Sequence, residues 1–232
     1  KLGLKIDYIF QPRVTGTANA ARLAEDYVED DFLMVYGDLI ITSNVIQKVL
    51  NAYTTRSKST LIMATVPVKH PEHYGVVKLE GSLVTDIIEK PTAEVVVSNL
   101  VNAGIYIFST EIFDAIYRTT PSCRGELEIT DSIRLLIKSG KPIVAVKIPS
   151  DEWLDVGNLW NVLEANRRVL TRMKTDIRGK IYDGVNLRGS VSVGEGTQIQ
   201  SGTRLEGPIS IGEKSAIGFN CHIHPFTSIG NN

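Results

Sequence analysis

The C-terminal part of this chain repeats with a period of six residues, a pattern typical of the hexapeptide β-helix. Apolar side chains occupy every sixth position: Ile181, Leu187, Val193, Ile199, Leu205, Ile211, Ile217, Ile223 and Ile229. Small or β-branched residues follow four places after each of the first eight: Val185, Val191, Thr197, Thr203, Ile209, Ser215, Cys221 and Thr227. A period of six is neither helical nor that of a simple strand, and it indicates short strands stacked coil on coil around an apolar interior. The sequence therefore predicts a β-helix over residues 177–232.

This ladder raises acyltransferase activity as one hypothesis, because many hexapeptide-repeat proteins have it. Such chemistry needs a histidine in a groove between coils, and the repeat offers only His222 and His224. These two are two places apart, so their side chains point to one face, which we interpret as solvated. Elsewhere, His70 and His73 flank Pro71, which breaks any helix that would align them, and we interpret that segment as a loop.

Composition excludes several classes of partner. The 232 residues leave room for one large domain or two unequal ones. A net charge of −1 gives no electrostatic reason to expect nucleic acid or an anionic membrane as partner. No apolar run approaches the roughly 20 residues of a membrane helix. The two cysteines, Cys123 and Cys221, lie far apart without a CxxC spacing, which favours a reducing, cytoplasmic location, although a single disulfide stays open.

Both ends of the sequence indicate a fragment of a longer protein. No initiator methionine precedes Lys1, and residues 4–10 already have the pattern of a strand leading into a loop. The other end stops at Asn232, just after a hexad, without an element to cap the solenoid. We therefore expect the chain to be truncated at both ends.

Residues 1–150 alternate strands and helices, the pattern of an α/β domain. The predicted strands are 32–36, 60–66, 75–79, 83–88, 102–108 and 143–148, and the predicted helices are 18–28, 44–56, 110–117, 130–138 and 158–173. Strand 32–36 is wholly apolar, which predicts the buried centre of a mostly parallel sheet. The expected domains are an α/β domain at 1–157, a connecting helix at 158–176 and the β-helix at 177–232.

Two acidic residues are candidates for binding a metal ion. Asp38 directly follows strand 32–36, where open α/β sheets bind ligands, and Mg²⁺ prefers one or two carboxylates together with phosphate oxygens. Asp155 follows strand 143–148. The alternatives are a plain turn at Asp38 and a helix N-cap at Asp155. The pair matters only if the fold brings the two acids together.

Two further segments have the chemistry of a nucleotide or sugar-phosphate site. In the loop 11–18, Gly16 would allow the backbone to approach a ligand, and the Gln11 amide both donates and accepts, as reading a base edge requires. The alternative is an ordinary connecting loop. In Glu89-Lys90-Pro91, a lysine beside an acid could bind a sugar phosphate, although surface Glu-Lys pairs are common.

Seven short motifs occur in an order that resembles one enzyme family. They are Gln11-Pro12 with Gly16-Thr17-Ala18, Gly37-Asp38, Tyr74-Gly75-Val76-Val77, Glu89-Lys90-Pro91, Asn102-Ala103-Gly104-Ile105-Tyr106, Gly125-Glu126-Leu127-Glu128-Ile129-Thr130-Asp131 and Trp153-Leu154-Asp155-Val156-Gly157. Over nearly its whole length the chain resembles the sugar-1-phosphate nucleotidylyltransferases, such as glucose-1-phosphate thymidylyltransferase. With its hexads it is most similar to archaeal-type enzymes that join this domain to a left-handed β-helix, some of which carry an amino-sugar acetyltransferase.

The resemblance implies a Rossmann-like mixed-sheet domain and assigns roles to the matching residues. Nucleotide contacts would come from Gln11, Gly16, Thr17 and Asp38. Sugar contacts would come from Gly75, Glu89, Lys90, Gly104 and Tyr106. Of these, Lys90 would contact the phosphate of the sugar, while Glu126 and Asp131 would support the wall of the sugar pocket. Asp38 and Asp155 would hold Mg²⁺, and Asp38, Lys90 and Asp155 would be the catalytic set.

The implied reaction joins a sugar 1-phosphate, such as glucose 1-phosphate, to the α-phosphorus of dTTP or UTP and releases pyrophosphate. The sequence departs from the family in lacking the glycine-rich nucleotide loop of the first βα unit, so we expect this fragment to be inactive. It also holds only about three coils of the β-helix, at three hexads per coil. Besides the acyltransferase, a non-catalytic nucleotide-sugar-binding regulatory subunit stays open. The resemblance also implies a homo-oligomer, assembled through the β-helix.

Overall fold

The computed structural model describes residue 3 and residues 5–55 and 61–232. The chain divides into two compact units, Lys1–Asp155 and Val156–Asn232. Within the described ranges, every helix is too short or too polar to cross a membrane. Both cysteines, Cys123 and Cys221, are free thiols.

The described residues of the first unit form four α-helices and eight strands. The helices are α1 (Thr17–Arg22), α2 (Ser43–Thr55), α3 (Glu111–Tyr117) and α4 (Ile129–Lys138). The strands are β1 (Phe32–Val35), β2 (Leu39–Ile41), β3 (Leu61–Pro67), β4 (Gly75–Glu80), β5 (Leu83–Glu89), β6 (Leu100–Phe108), β7 (Ile143–Lys147) and β8 (Trp153–Asp155). Six strands form one sheet in the order β1-β6-β3-β7-β5-β4, and β2 pairs with β8 in a separate ladder.

The mixed sheet that the resemblance implied is confirmed, but the expectation of a mostly parallel sheet centred on residues 32–36 is wrong. In the described part of the sheet, β3 and β7 form the one parallel pair. Strand β1 lies at the edge and is antiparallel to β6. Leu33 and Val35 are 40% and 38% exposed, while Phe32 and Met34 pack on the core. A run of apolar letters cannot distinguish a strand covered on both faces from one that alternates inward and outward.

Two apolar cores cover the faces of the sheet. One packs α1, α3 and α4 through residues such as Ile112 and Ile133. The other packs α2, whose Val45 and Val49 lie one turn apart on its buried face. Helix α1 is shorter than the predicted 18–28, because a separate 3₁₀ turn, Glu25–Tyr27, follows it.

Other predicted boundaries shift by a few residues. Residues 5–10 form no strand and are exposed, so the strand expected there is wrong over the described positions. That prediction also covered Leu4, and the predicted end of helix 44–56 and start of strand 60–66 fall on Arg56 and Thr60; all three residues lie outside the described ranges.

The second unit begins with helix α5 (Leu159–Thr171) and continues as the predicted β-helix. Its strands are β9 (Asp176–Ile177), β10 (Lys180–Ile181), β11 (Asn186–Arg188), β12 (Val191–Val193), β13 (Gln198–Ile199), β14 (Arg204–Glu206), β15 (Ile209–Ile211), β16 (Ala216–Ile217), β17 (His222–Ile223) and β18 (Thr227–Ile229). Three parallel sheets run along the coils, in the orders β10-β13-β16, β11-β14-β17 and β9-β12-β15-β18.

The hexad positions fill the interior of the β-helix. Residues three hexads apart stack directly, so Ile199 pairs with both Ile181 and Ile217. Buried threonines join the coils as well: the Thr197 hydroxyl donates to the Gly212 carbonyl at 2.6 Å and accepts from the Ser215 N–H at 3.0 Å. The repeat thus supplies both the core and the bonds between coils.

Asn158, rather than Asp155, caps α5. The Asn158 side chain accepts a hydrogen bond from the Asn161 N–H at 3.1 Å. The N-cap alternative for Asp155 is therefore wrong.

Candidate active site

The two predicted acids are brought together by the short β2–β8 ladder. In its antiparallel register Leu39 lies opposite Asp155, so Asp38 stands one residue from that pair. Trp153 anchors the ladder, since its indole N–H donates to the Ala103 carbonyl at 2.9 Å. Residues far apart in the sequence thereby share one edge of the unit.

The environment of Asp155 disfavours its negative charge. Burial raises the pKa of this half-buried carboxyl, and the charge of Asp38 raises it further. The Lys90 ammonium and a hydrogen bond from the Tyr74 hydroxyl act in the opposite direction without cancelling the rise in pKa. Two carboxylates that repel each other in a partly dry setting form a donor set suited to a hard divalent cation.

Lys90 is held in an unusual backbone conformation beside these acids. Its φ of 41° lies in the left-handed region, which non-glycine residues seldom adopt. The Lys90 N–H donates to the Tyr74 carbonyl at 3.0 Å, at the point where β5 ends. The resulting turn carries the ammonium close enough to influence the Asp155 carboxyl.

Glu89 is the second acid whose charge the fold disfavours. Its pKa is raised, first by burial and then by the charge of Glu128. The Thr130 hydroxyl donates to Glu89 Oε2 at 3.1 Å, and Arg124 Nη2 lies 3.8 Å from Oε1. Arg124 also contacts Glu126 at 3.6 Å and forms a short hydrogen bond to Glu128.

Gly75 keeps space open opposite Glu89. A Cβ at this position would lie 3.0 Å from Glu89 Oε2 and 3.1 Å from Thr130 Cγ2. Glycine therefore leaves the Glu89 carboxylate accessible from the side of β4.

Gly104 makes room for Tyr36. Its φ is 71°, and a Cβ would lie 2.6 Å from a carbon of the Tyr36 ring. The Tyr36 N–H donates to the Gly104 carbonyl at 2.9 Å, and the Gly104 N–H to the Asn102 side chain at 3.0 Å. The glycine thus holds an aromatic ring at the site.

Tyr106, predicted to contact the sugar, lies behind Tyr36. Its side chain is fully buried and stacks on Phe108 with ring centroids 4.8 Å apart, and the sugar contact stays a prediction. The Tyr106 hydroxyl donates to the Tyr36 hydroxyl at 3.3 Å. Burial raises the pKa of Tyr36 to about 12, and its hydroxyl also interacts with the side chains of Thr17 and Asn102. Tyr106 therefore supports Tyr36.

The loop predicted to bind nucleotide is pinned to the segment before α4. Leu127 accepts from the Ala18 N–H at 2.9 Å and donates to the Thr15 carbonyl at 2.8 Å. Gly16 has a φ of 116°, and a Cβ there would clash with the backbone of Leu127. Thr17 accepts from the Ile129 N–H at 3.0 Å. Gly16 and Thr17 therefore fix the shape of the loop.

Gln11 has the one buried side-chain nitrogen or oxygen of this loop, among the described residues, that lacks a hydrogen-bond partner. Its side-chain nitrogen is buried and finds no hydrogen-bond partner within the described ranges. A buried donor without a partner is costly, and such groups recur at functional sites. A groove of about 410 Å³ lies between α1 and β1 and is lined by Thr17, Tyr36 and Gly37 among others.

Comparison with known proteins decides the family. A sequence model described as nucleotidyl transferase matches residues 1–172. The chain belongs to the nucleotidyl transferase family.

Relatives of this nucleotidyl transferase are named for sugar-nucleotide chemistry. The chain is 42% identical to the bifunctional protein GlmU of Methanocaldococcus jannaschii over 98% of its own length and 53% of the relative's. It is 35% identical to a glucose-1-phosphate thymidylyltransferase of Streptomyces griseus over its whole length and 64% of the relative's. The chain thus spans about half to two thirds of the curated relatives it matches.

A solved structure agrees with this assignment. A UDP-glucose pyrophosphorylase complexed with UDP-glucose superposes with a TM-score of 0.64 at 26% identity, covering 72% of this chain and 66% of that one. The predicted family is confirmed, and nucleotidyl transferases of this kind bind a nucleoside triphosphate, a sugar phosphate and a divalent metal ion. The comparisons do not favour the acyltransferase or the regulatory subunit.

Three residues of the candidate site received no role from the sequence. Tyr74 opens the motif that contains Gly75, and Arg124 directly precedes the motif glycine Gly125; these positions are the signal that could have found them. Tyr36 ends the apolar run before Gly37, where it looked like one more core residue.

Proposed function

We propose that the protein transfers a nucleotidyl group from a nucleoside triphosphate to a sugar 1-phosphate and releases pyrophosphate. The observation that carries this proposal is the β2–β8 register, which joins Asp38 to Asp155 within the influence of Lys90. We assign the activity to residues 1–157, with 158–176 as connector and 177–232 as the β-helix.

Asp38 and Asp155 are the proposed ligands of Mg²⁺. The raised pKa of Asp155 supports this assignment, since the fold disfavours its charge in a way that a bound cation would reverse. When bound, Mg²⁺ would supply charge neutralisation for the triphosphate oxygens. Carboxylates are the protein ligands that this ion prefers.

Lys90 and Glu89 are the proposed sugar-phosphate contacts. Lys90 offers a compact positive charge for the phosphate of the sugar. Glu89, held by Thr130, offers its carboxylate to sugar hydroxyls across the space that Gly75 keeps open. Gly104 and Tyr106 act one step further back, by holding Tyr36 in place.

The nucleotide contacts proposed for the other end of the site are Gln11, Gly16 and Thr17. The unsatisfied nitrogen of Gln11 supports a hydrogen bond to a base edge. We propose dTTP or UTP as the nucleotide and glucose 1-phosphate as the sugar, by analogy with the names of the matched proteins.

The reaction forms one bond and breaks one at the same phosphorus. An oxygen of the sugar's phosphate bonds to the α-phosphorus, and the bond from that phosphorus to the bridging oxygen breaks, so pyrophosphate leaves with the electron pair. No covalent intermediate on the protein is required. The side chains named above act by alignment of the reactants and by charge stabilisation.

The decisive test measures pyrophosphate release by the protein expressed from its complete gene. We expect Asp38→Asn and Asp155→Asn each to lower kcat by at least about 100-fold, since losing a coordinating carboxylate should cost several kcal/mol. The exposed Asp30→Asn is the matched control and should leave the rate unchanged. Rates within twofold of wild type for both site variants would refute the metal assignment. No pyrophosphate release by wild type with any nucleoside triphosphate and hexose phosphate would refute the function.

We also propose a cytoplasmic homo-oligomer assembled through the second unit. The two free thiols support a reducing compartment. Helix α5 supports assembly, because Leu159, Trp160 and Leu163 are 85%, 79% and 63% exposed. Light scattering of wild type and Leu163→Glu tests this proposal. The molar mass in solution should be lower for the variant, because its oligomer should dissociate.

A further inference from the structure

Glu206, His222 and His224 form a cluster on the outside of the β-helix. They are the one set of three histidine, cysteine or acidic residues in the described ranges whose ligand atoms all lie within 4.8 Å of one another. We propose that they bind a divalent transition-metal ion, with Zn²⁺ as the type, and that the ion joins two adjacent coils.

The distances in the cluster approach those around a metal ion. His222 Nε2 lies 3.4 Å from Glu206 Oε2, and His224 Nδ1 lies 3.9 Å from the same oxygen. Ligands bound to one tetrahedral zinc at about 2.0–2.2 Å stand roughly 3.3 Å apart. Small side-chain rotations therefore suffice to bring all three atoms onto one ion, with a position left for water.

The coil architecture explains why these residues meet. His222 and His224 are two places apart, so their rings lie on one face with centroids 4.2 Å apart. Strands β14 and β17 are parallel neighbours, with Arg204 opposite His222, so Glu206 comes from the preceding coil. The ligands thus span two turns of the solenoid.

Arg204 orients the carboxylate. Arg204 Nη2 lies 2.5 Å from Glu206 Oε1, which leaves Oε2 directed at the two imidazoles. Carboxylates that bind metals are commonly held by such a hydrogen bond. With its acid balanced by Arg204, the cluster attracts cations less by charge than by its imidazoles, which favour Zn²⁺, Ni²⁺ or Cu²⁺ over Mg²⁺.

A metal ion at this position would stabilise the β-helix. Each coil of a solenoid is stabilised mainly by contacts with its neighbouring coils. A metal ion bound to two adjacent coils would therefore strengthen one of these coil–coil interfaces. Binding to the folded state alone raises the melting temperature by mass action.

The chain offers a matched control in His70, Glu72 and His73. Glu72 Oε1 lies 3.3 Å from His70 Nδ1 and 3.9 Å from His73 Nε2, nearly the distances of the proposed site. The two rings, however, stand 6.3 Å apart instead of 4.2 Å, and the three ligand atoms do not meet the same span. Residue type and exposure are therefore matched while the geometry differs.

The test is isothermal titration of the untagged full chain with zinc chloride, in excess Mg²⁺ so that the carboxylate site is filled. We expect one zinc ion per chain, with affinity at least about tenfold weaker in His222→Ala, His224→Ala and Glu206→Gln, and unchanged in His70→Ala. The proposal would be overturned if wild type bound no zinc, or if the three site variants bound zinc as tightly as wild type.

A melting experiment separates metal binding from a folding defect. His222 and His224 are exposed, so without zinc the double alanine variant should melt within a few degrees of wild type. Zinc should raise the melting temperature of wild type and leave that of the double variant unchanged. An equal rise in both proteins would overturn the site.

Discussion

The two units of this protein relate sequence to structure in opposite ways. In the β-helix each hexad residue meets the same environment one coil later, so Leu187, Leu205 and Ile223 stack in one row. In the α/β unit the candidate site depends on long-range strand pairings such as that of Leu39 with Asp155. No local sequence pattern predicts such a pairing. A repeated sequence pattern therefore allows a fold to be predicted, whereas the candidate site is formed by segments that each occur once in the sequence.

The units also differ in how they treat polar groups. The buried Thr197 and Thr203 of the β-helix bond to backbone atoms of the next coil. The α/β unit instead holds Asp155 and Glu89 where burial raises the pKa of each. Polar burial therefore stabilises one unit and prepares the other for a charged ligand.

The strongest test of the repetitive unit compares two leucines in the same row. Leu205 is fully buried in a middle coil, whereas Leu187 is 39% exposed. We expect Leu205→Ala to lower the free energy of unfolding by about 2–5 kcal/mol. Leu187→Ala should cost less than half as much, because less apolar area is lost. Urea denaturation followed by circular dichroism measures both, and equal losses would contradict a core that depends on neighbouring coils.

Next in size is a test of the site's glycine. Gly104 and Gly140 have similar positive φ values, 71° and 80°, but only Gly104 has a neighbour within 4 Å of a built Cβ, the Tyr36 ring. Alanine at either position should cost about 1–2 kcal/mol for the backbone. Gly104→Ala should cost a further 1–3 kcal/mol, roughly, for overpacking. Gly140→Ala is thus the control.

Enzyme assays complete the glycine comparison. Gly104→Ala should also slow pyrophosphate release, because Tyr36 must move. A similar melting temperature and rate for the two variants would show that the Tyr36 contact is unimportant.

The same contrast explains what the sequence could predict. The hexads specified the β-helix because period, core and register follow from one pattern. In the α/β unit most strands were located, but the edge position of β1 was missed, since apolar letters do not reveal which neighbours a strand has. The acids Asp38 and Asp155 were identified, yet their meeting depends on strands β2 and β8 of three residues each, too short to carry a periodicity.

The burial of Tyr106 was equally invisible. The motif marks Tyr106 as part of the site, but its depth follows from the packing of Tyr36 over Gly104. Side-chain depth is a tertiary property that no motif encodes.

A smaller effect, of opposite sign, should appear at Asp155. Because its pKa is raised in the folded state, the native protein binds more protons than the unfolded chain between the two pKa values, and stability falls as pH rises through that window. Asp155→Asn should therefore raise the melting temperature at pH 7.5 in EDTA, and the gain should shrink towards pH 4. Asp30→Asn serves as the control. If Asp155→Asn melted below wild type at pH 7.5, the ionised Asp155 carboxylate would not destabilise the folded protein, and the prediction would be contradicted.

The smallest effect is expected at Glu164 on α5, whose carboxylate is stabilised rather than strained. Arg167 donates to it twice, at 2.7 and 2.8 Å, and Arg168 once, at 2.8 Å. The hydrogen bonds from Arg167, followed by those from Arg168, lower the pKa of Glu164 to about 2. Its stabilisation is therefore present above the unfolded value of about 4.3 and is lost as pH falls towards 2.

Because these ion pairs are partly exposed, Glu164→Gln should cost less than about 1 kcal/mol at pH 7, and less still in high salt. Melting temperatures at pH 7 and pH 3 measure the loss, with the exposed Glu195→Gln as control. The pH slope at Glu164 should be opposite to that at Asp155: stability rises with pH through the window of Glu164 and falls through that of Asp155. If stability changed with pH in the same direction for both residues, the Glu164 carboxylate would not be stabilised in its unit while the Asp155 carboxylate is destabilised in the other.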